Sequence, residues 1–195
     1  NSSASTWYLA EGTCAWGFST YITIENPNAT EVNAKVTYMP TGKANKTESV
    51  SLPPKSQTTL TNDHLIEVMG SQCDFSSKVE ATDKTKTIAV DRTMSWNAGA
   101  GEEAHNSVGV TAPAKTWYLP EGSSAWGFET WLLIQNPNSK EASCEVTYMI
   151  EGVGPQEFTK TVPAHSRASF DMSKDIGSKD ASIKVVSSVP VIPER

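Results

Sequence analysis

The chain repeats itself. Thr6-Trp7-Tyr8-Leu9-Ala10-Glu11-Gly12-Thr13-Cys14-Ala15-Trp16-Gly17-Phe18 returns as Thr116-Trp117-Tyr118-Leu119-Pro120-Glu121-Gly122-Ser123-Ser124-Ala125-Trp126-Gly127-Phe128. At the same offset of 110, 21 of the 37 positions from Thr6 to Gly42 are identical. A period this long is that of a whole domain, not of a solenoid turn. The 195 residues are therefore expected to form two modules, 1–110 and 111–195, each burying its own interior.

Within each module the hydrophobic period is two. Phe18, Thr20, Ile22 and Ile24 alternate onto one face, as do Phe128, Thr130, Leu132 and Ile134, which predicts a half-buried strand in both copies. Asn26-Pro27-Asn28 and Asn136-Pro137-Asn138 follow as turns, because proline fixes φ and offers no N–H to a ladder. Val32 to Met39 and Ala142 to Met149 alternate again, with Ala34, Val36 and Tyr38, or Cys144, Val146 and Tyr148, facing the core. Further strands are expected at Thr47 to Leu52, Gln57 to Leu60, Phe75 to Ala81 and Thr87 to Met94, and a short helical turn at Asn62 to Met69 capped by Asn62 or Asp63. Short strands with turn signals every 8 to 12 residues give an all-β fold of two tandem immunoglobulin-like β-sandwiches.

The second copy ends early. With Arg195 set against Arg92, it stops where the first continues through Thr93-Met94-Ser95-Trp96 to His105-Asn106-Ser107-Val108-Gly109-Val110. It is thus expected either to be cut short of its last strand or strands, or to be completed by another chain through β-strand addition. The join, Val108 to Lys115, holds no Gly/Ser tract, so limited freedom between modules is expected.

The cysteine count is odd, and the repeat sorts it. Cys14 and Cys73 both lack counterparts in the second copy, where Ser124 and the neighbourhood of Lys179 stand, and this joint absence predicts a Cys14–Cys73 disulfide and an oxidising setting. Cys144 replaces Ala34 and reads as a small buried apolar group. Asn28-Ala29-Thr30, Asn45-Lys46-Thr47 and Asn1-Ser2-Ser3 fit the N-glycosylation pattern, with Asn28 and Asn45 in predicted turns where a glycan could project.

Chemistry for catalysis is not visible. His64, His105 and His165 are far apart and do not recur, and no nucleophile-base pair, carboxylate pair or metal cluster stands out, so neither an enzyme nor a cofactor is expected. Asp171 to Gly177 loosely follows a calcium loop, but its glycine is displaced and no bidentate glutamate follows. A net charge of −6 without a basic stripe argues against nucleic acid, and no apolar run approaches the ~20 residues of a membrane span. Trp7, Trp16, Trp117 and Trp126 share one spacing in both copies, as core or module-interface packing would require. Glu11 and Glu121, with the Arg92 and Arg195 pairs, read as charges at a module edge. Alternation turns Tyr21 and Trp131 away from the core, and Trp131 with Leu133 is the expected exposed contact patch.

The run TWYLAEG…AWGFxT…NPN…VTY, the LPxxS turn, the acid-Arg pair and HNSVGV resemble an uncharacterised extracellular repeat found in tandem in bacterial and archaeal cell-surface or secreted proteins. The resemblance implies immunoglobulin-like sandwiches, a larger parent with further repeats and exposure at the cell surface. It carries no catalytic residues. A structural or adhesive module of a surface protein, envelope layer or filament is the leading expectation, with other copies or further repeats as partners. A carbohydrate-binding accessory module of a secreted protein, with glycans as partners, is the alternative.

Overall fold

The computed structural model describes residues 3–97 and 101–195, so Asn1 of the third glycosylation triplet lies outside it. The chain is all-β and divides into two compact units, Asn1–Ala112 and Pro113–Arg195.

The first unit comprises β1 (Thr6–Leu9), β2 (Phe18–Asn26), β3 (Val32–Pro40), β4 (Lys46–Leu52), β5 (Ser56–Leu60), α1 (Asn62–Met69), β6 (Phe75–Ala81), β7 (Ala89–Asn97) and β8 (Glu102–Val108). One antiparallel sheet has the order β1-β6-β3-β4 and the other β5-β2-β7-β8. Their inner faces meet in one core: Trp7, Val36, Tyr38 and Val79 from the first sheet pack with Ile22, Ile24, Leu60 and Val90 from the second. Alternation produces this arrangement, since the apolar set of each strand falls on one face. Thr61 caps α1 by accepting from the His64 N–H, one residue before the expected cap.

The second unit comprises β9 (Ala114–Leu119), β10 (Trp131–Asn136), β11 (Ala142–Ile150), β12 (Gly154–Val162), β13 (Ser166–Asp171), α2 (Met172–Ile176) and β14 (Ala181–Glu194). Its strand order is β12-β11-β14-β10-β13, with β9 also on β14. β14 serves both layers, pairing β11 through Ala181 to Ser187 and β10 through Ile192 to Glu194. In the first unit those two stretches are separate strands, β6 and β7, joined by a turn in which Lys86 N donates to Asp83 O. Among the described residues the second unit has no counterpart of β8.

The turn motifs fold as conserved hardware within the chain. Asn26, fully buried, donates through Nδ2 to the carbonyls of Thr30 (3.1 Å), Leu52 (2.9 Å) and Pro53 (2.9 Å), and Asn136 does the same to Lys140, Val162 and Pro163. Trp7 Nε1 donates to Ala4 O and Ile88 O, and Trp117 Nε1 to Ala114 O and Val191 O, so these two tryptophans pin the entry strand to the far layer. Asp171, first residue of the calcium-like stretch, instead caps α2 by accepting from Ser173 N.

Candidate functional site

The loop from Gly12 to Phe18 is clamped before it turns. Thr20 Oγ1 accepts from Thr13 N (3.0 Å) and donates to Thr13 O (2.7 Å), while Cys14 N donates to Cys73 O (2.9 Å). Thr130, Ser123, Ser124 and Lys179 make the same bonds in the second copy. With Ala15 buried and Phe18 N donating back to Ala15 O (2.9 Å), only the two central residues project. They are Trp16 and Gly17, both in the left-handed region at φ 60° and 82°, and Trp126 and Gly127 match them at 59° and 87°. Such a turn demands φ > 0 at both centres.

Glycine takes that backbone freely, but tryptophan does not: a left-handed L-residue costs roughly 1–2 kcal/mol. Burial does not offset it, because Trp16 is 76% and Trp126 85% exposed. This corrects the expectation that all four repeated tryptophans pack. Trp7 is buried and Trp117 half-buried, whereas Trp16 and Trp126 are presented to the outside at the same strained position in both units. Trp126 Nε1 donates to Asp180 Oδ2 at 3.3 Å, and Phe128 beside it is 67% exposed. The sequence does carry this signal: a Trp-Gly pair after a small residue, and in the first copy just before a strand, occupies the places of the Asn-Gly of a primed turn.

The expected contact patch is only partly present. Trp131 is 41% exposed and its Nε1 lies 3.5 Å from Glu129 Oε2, whereas Tyr21 is half-buried. Leu133 is a correction: it is only 5% exposed, at a central-strand position between Ser169 of β13 and Glu194 of β14.

The Cys14–Cys73 disulfide is also corrected, since both residues are buried thiols in the structure. They do lie opposite each other next to the Thr13–Asp74 bridge. Burial, then the neighbouring Cys73 and Asp74, push the Cys14 thiol up to about 11, which keeps it neutral and apolar. Joint loss from the second copy therefore reflects one shared packing environment, in which Ser124 Oγ instead donates to Gly177 O. Cys144, fully buried, has Ser187 Oγ at 3.4 Å.

Asn28 holds the turn together. Its Nδ2 donates to Asn26 Oδ1 and to Thr87 O, both at 2.8 Å, and a glycan on that nitrogen would have to displace these bonds. Asn45 is exposed, just before β4. The edge charges pair: Arg92, 1% exposed, lies 2.9 Å from Glu11 and donates to His105 Nε2 at 3.1 Å, and Arg195 lies 2.6 Å from Glu121. His64, on α1, reaches Glu48 at 2.9 Å, so two of the three histidines sit in regular elements and not in loops. Among the described residues no group of three or more His, Cys, Asp or Glu side chains is placed to hold a metal ion, and no helix is long and apolar enough to cross a membrane.

No protein-family model matches the chain, and no curated protein sequence matches it. Among solved structures it is similar to the crystal structure of Thermotoga maritima 1070, at 13% identity and a TM-score of 0.49 over 56% of this chain and 96% of that one. It is also similar to the Anabaena sensory rhodopsin transducer, at 21% identity and a TM-score of 0.38 over 43% of this chain and 82% of that one. Both likenesses are too loose to bear on function.

Proposed function

We propose that the chain is a structural or adhesive repeat of a cell-surface protein, envelope layer or extracellular filament, acting through protein–protein contacts made by the Trp16-Gly17 and Trp126-Gly127 turns. One observation carries this reading: each unit holds a tryptophan in strained left-handed backbone with its ring in solvent. Strain retained at an exposed aromatic points to a contact residue, because neither packing nor local geometry is improved by it. The two packed antiparallel layers support an immunoglobulin-like assignment, and the repeat motif's resemblance supports the extracellular setting.

Glycan binding is the second reading, favoured by the exposed Trp126, Phe128 and Trp131 of the second unit, since such rings also stack on sugars. A surface-binding assay against immobilised copies of the chain and against a glycan array separates the two. Protein binding lost in a W16A/W126A double variant is the expected result. Glycan binding lost in that variant, with no protein binding at any stage, overturns the structural reading in favour of the second.

A further inference from the structure

Two charged side chains of the second unit stand where the first unit is apolar. At the offset of 110, Lys160 takes the place of Val50 and Asp175 that of Leu65, and both Val50 and Leu65 pack in the first unit's core. Lys160 Nζ, on β12, lies 2.5 Å from Asp175 Oδ1, on α2, and their side chains are only 18% and 10% exposed. Phe158 and Phe170 flank the amine, with ring centroids 5.6 and 5.3 Å from Nζ. Tyr148, fully buried, donates its phenol O–H to the other carboxylate oxygen, Oδ2, at 2.9 Å. Its first-unit counterpart Tyr38 donates to Glu48, and Phe158 stands at that position in the second unit. The second unit thus rebuilds the tyrosine's acceptor on α2 and sets an amine against it. Charges taken out of water lose solvation that pairing seldom recovers, and apolar residues of like volume serve at least as well, as Val50 and Leu65 do. Stability alone does not account for the pair.

We propose that Lys160 and Asp175 condense into an intramolecular amide, a cross-link between β12 and α2 formed by the folded chain itself. This modification is independent of the contact reading above. The Lys160 ammonium passes one proton to Oδ1, and the freed amine attacks Cγ. A second proton moves from the nitrogen to the Oδ1 hydroxyl, which leaves as water, and Oδ2 stays as the carbonyl oxygen of the amide. The ammonium and the carboxylate thus become one amide and one water, with no other reactant. The geometry serves each step. Cγ lies one C–O bond beyond Oδ1 and so no more than ~3.7 Å from Nζ, against ~3–3.5 Å for reacting atoms poised to attack. Tyr148 stands where negative charge grows, on Oδ2. Burial, then its bond to Asp175, raises the phenol above its ordinary value, so it stays a donor. Holding both groups in one site supplies the effective molarity, up to ~10⁵–10⁸ M, that a free amine and acid lack in water. The product joins β12 of one layer to the helix that follows β13 of the other.

Intact mass spectrometry of the folded chain, produced in a host that does not glycosylate, tests it. Wild type is expected to be lighter than the mass of its sequence by one water. Trypsin is expected to leave Lys160 uncut and joined to the peptide that carries Asp175. Lys160→Arg keeps a cation beside Asp175 but has no primary amine to acylate, and it should show the full mass. Tyr148→Phe, followed after translation is stopped, should condense roughly 10²-fold more slowly, as on loss of one oxyanion donor. A folded wild-type chain at full mass overturns the proposal, and that reading needs no variant to fold. A water lost without the linked peptide, or lost equally from Lys160→Arg, assigns the loss to other residues and overturns it as well. Tyr148→Phe condensing at the wild-type rate overturns the step given to the phenol. None of these results touches the contact reading, which stands or falls with the exposed turns.

Discussion

The Phe75 ring stands so close over Gly12 that a Cβ built on the glycine would come within 2.7 Å of its Cε2 and Cζ atoms. The glycine of the repeated Glu-Gly pair is thus a packing requirement in the first unit. Gly12→Ala is expected to destabilise the chain by about 1–3 kcal/mol through overpacking. Phe75→Ala should cost about 3–5 kcal/mol alone, as a large core truncation. In the double variant the two losses should fall short of their sum, because the clash disappears with the ring. Urea unfolding of the four proteins checks it, and strict additivity would sink the account. In the second unit the nearest atom to an added Cβ is Ala181 O at 3.0 Å, so Gly122→Ala strains backbone there and F75A cannot relieve it.

Asn26 is a densely bonded buried polar side chain of the first unit. It supplies donors to three carbonyls and accepts from Asn28 N (3.0 Å) and Nδ2 (2.8 Å). Asn26→Ala leaves several buried groups unsatisfied, and a loss of about 2–4 kcal/mol is expected. Asn26→Asp keeps the acceptor but loses the donors and brings a carboxylate towards carbonyl oxygens, so it should be no milder at neutral pH. Thermal unfolding of both variants would show it, and an aspartate variant as stable as wild type would contradict the assigned direction of these bonds.

Much of this architecture is legible in the sequence, and the reason is physical. Period-two alternation at Ile22, Ile24, Ala34, Val36 and Tyr38 can be satisfied only by strands with one buried face, and all five are buried. The turn asparagines were recognisable, but their bond to distant carbonyls was not, since Thr87 lies 59 residues from Asn28. The tryptophans failed for the opposite reason. Recurrence says that a residue is required, and packing is the common requirement, but recurrence at a turn centre is blind to direction. Leu133 failed because alternation assigns a face and says nothing of whether that face is covered. The cysteines were correctly brought together, yet a shared environment and a covalent bond leave the same mark on two aligned copies.

The same Nδ2 bonds decide between the glycosylation triplets. In chain secreted through a glycosylating pathway and recovered folded, the peptide containing Asn45 is expected to carry glycan and the one containing Asn28 to be unmodified. Peptide mass mapping reads this directly. Glycan on Asn28 in fully folded material would show that the turn holds without its amide.

Cys14 gives the chain an alkaline limit. Its thiol is raised from 9.0 to about 11, so the fold prefers the neutral form. The resulting stability is fully present below pH 9 and is lost as the pH rises through about 11, because the unfolded thiol ionises first. Urea midpoints between pH 8 and 11 should fall faster for wild type than for Cys14→Ser, which carries the residue of the second copy and has no thiol at that position. Alkylation of Cys14 in the native state at pH 8 should also be slow, as burial and a raised thiol both oppose it. Rapid alkylation without unfolding would remove the basis of the alkaline prediction.

The strained turn separates stability from contact. Asparagine tolerates left-handed backbone far better than tryptophan, and Trp16 has little buried surface to lose at 76% exposure. Trp16→Asn should therefore raise stability by about 0.5–1 kcal/mol, while Gly17→Ala, at φ 82°, should lower it by a similar amount or more. If the turn exists for packing, Trp16→Asn must destabilise, since it removes the largest side chain of the loop. If it exists for contact, the same variant is more stable and no longer binds. Melting temperature and binding measured on one preparation of W16N distinguish these outcomes, because only a residue kept for its partner trades one against the other.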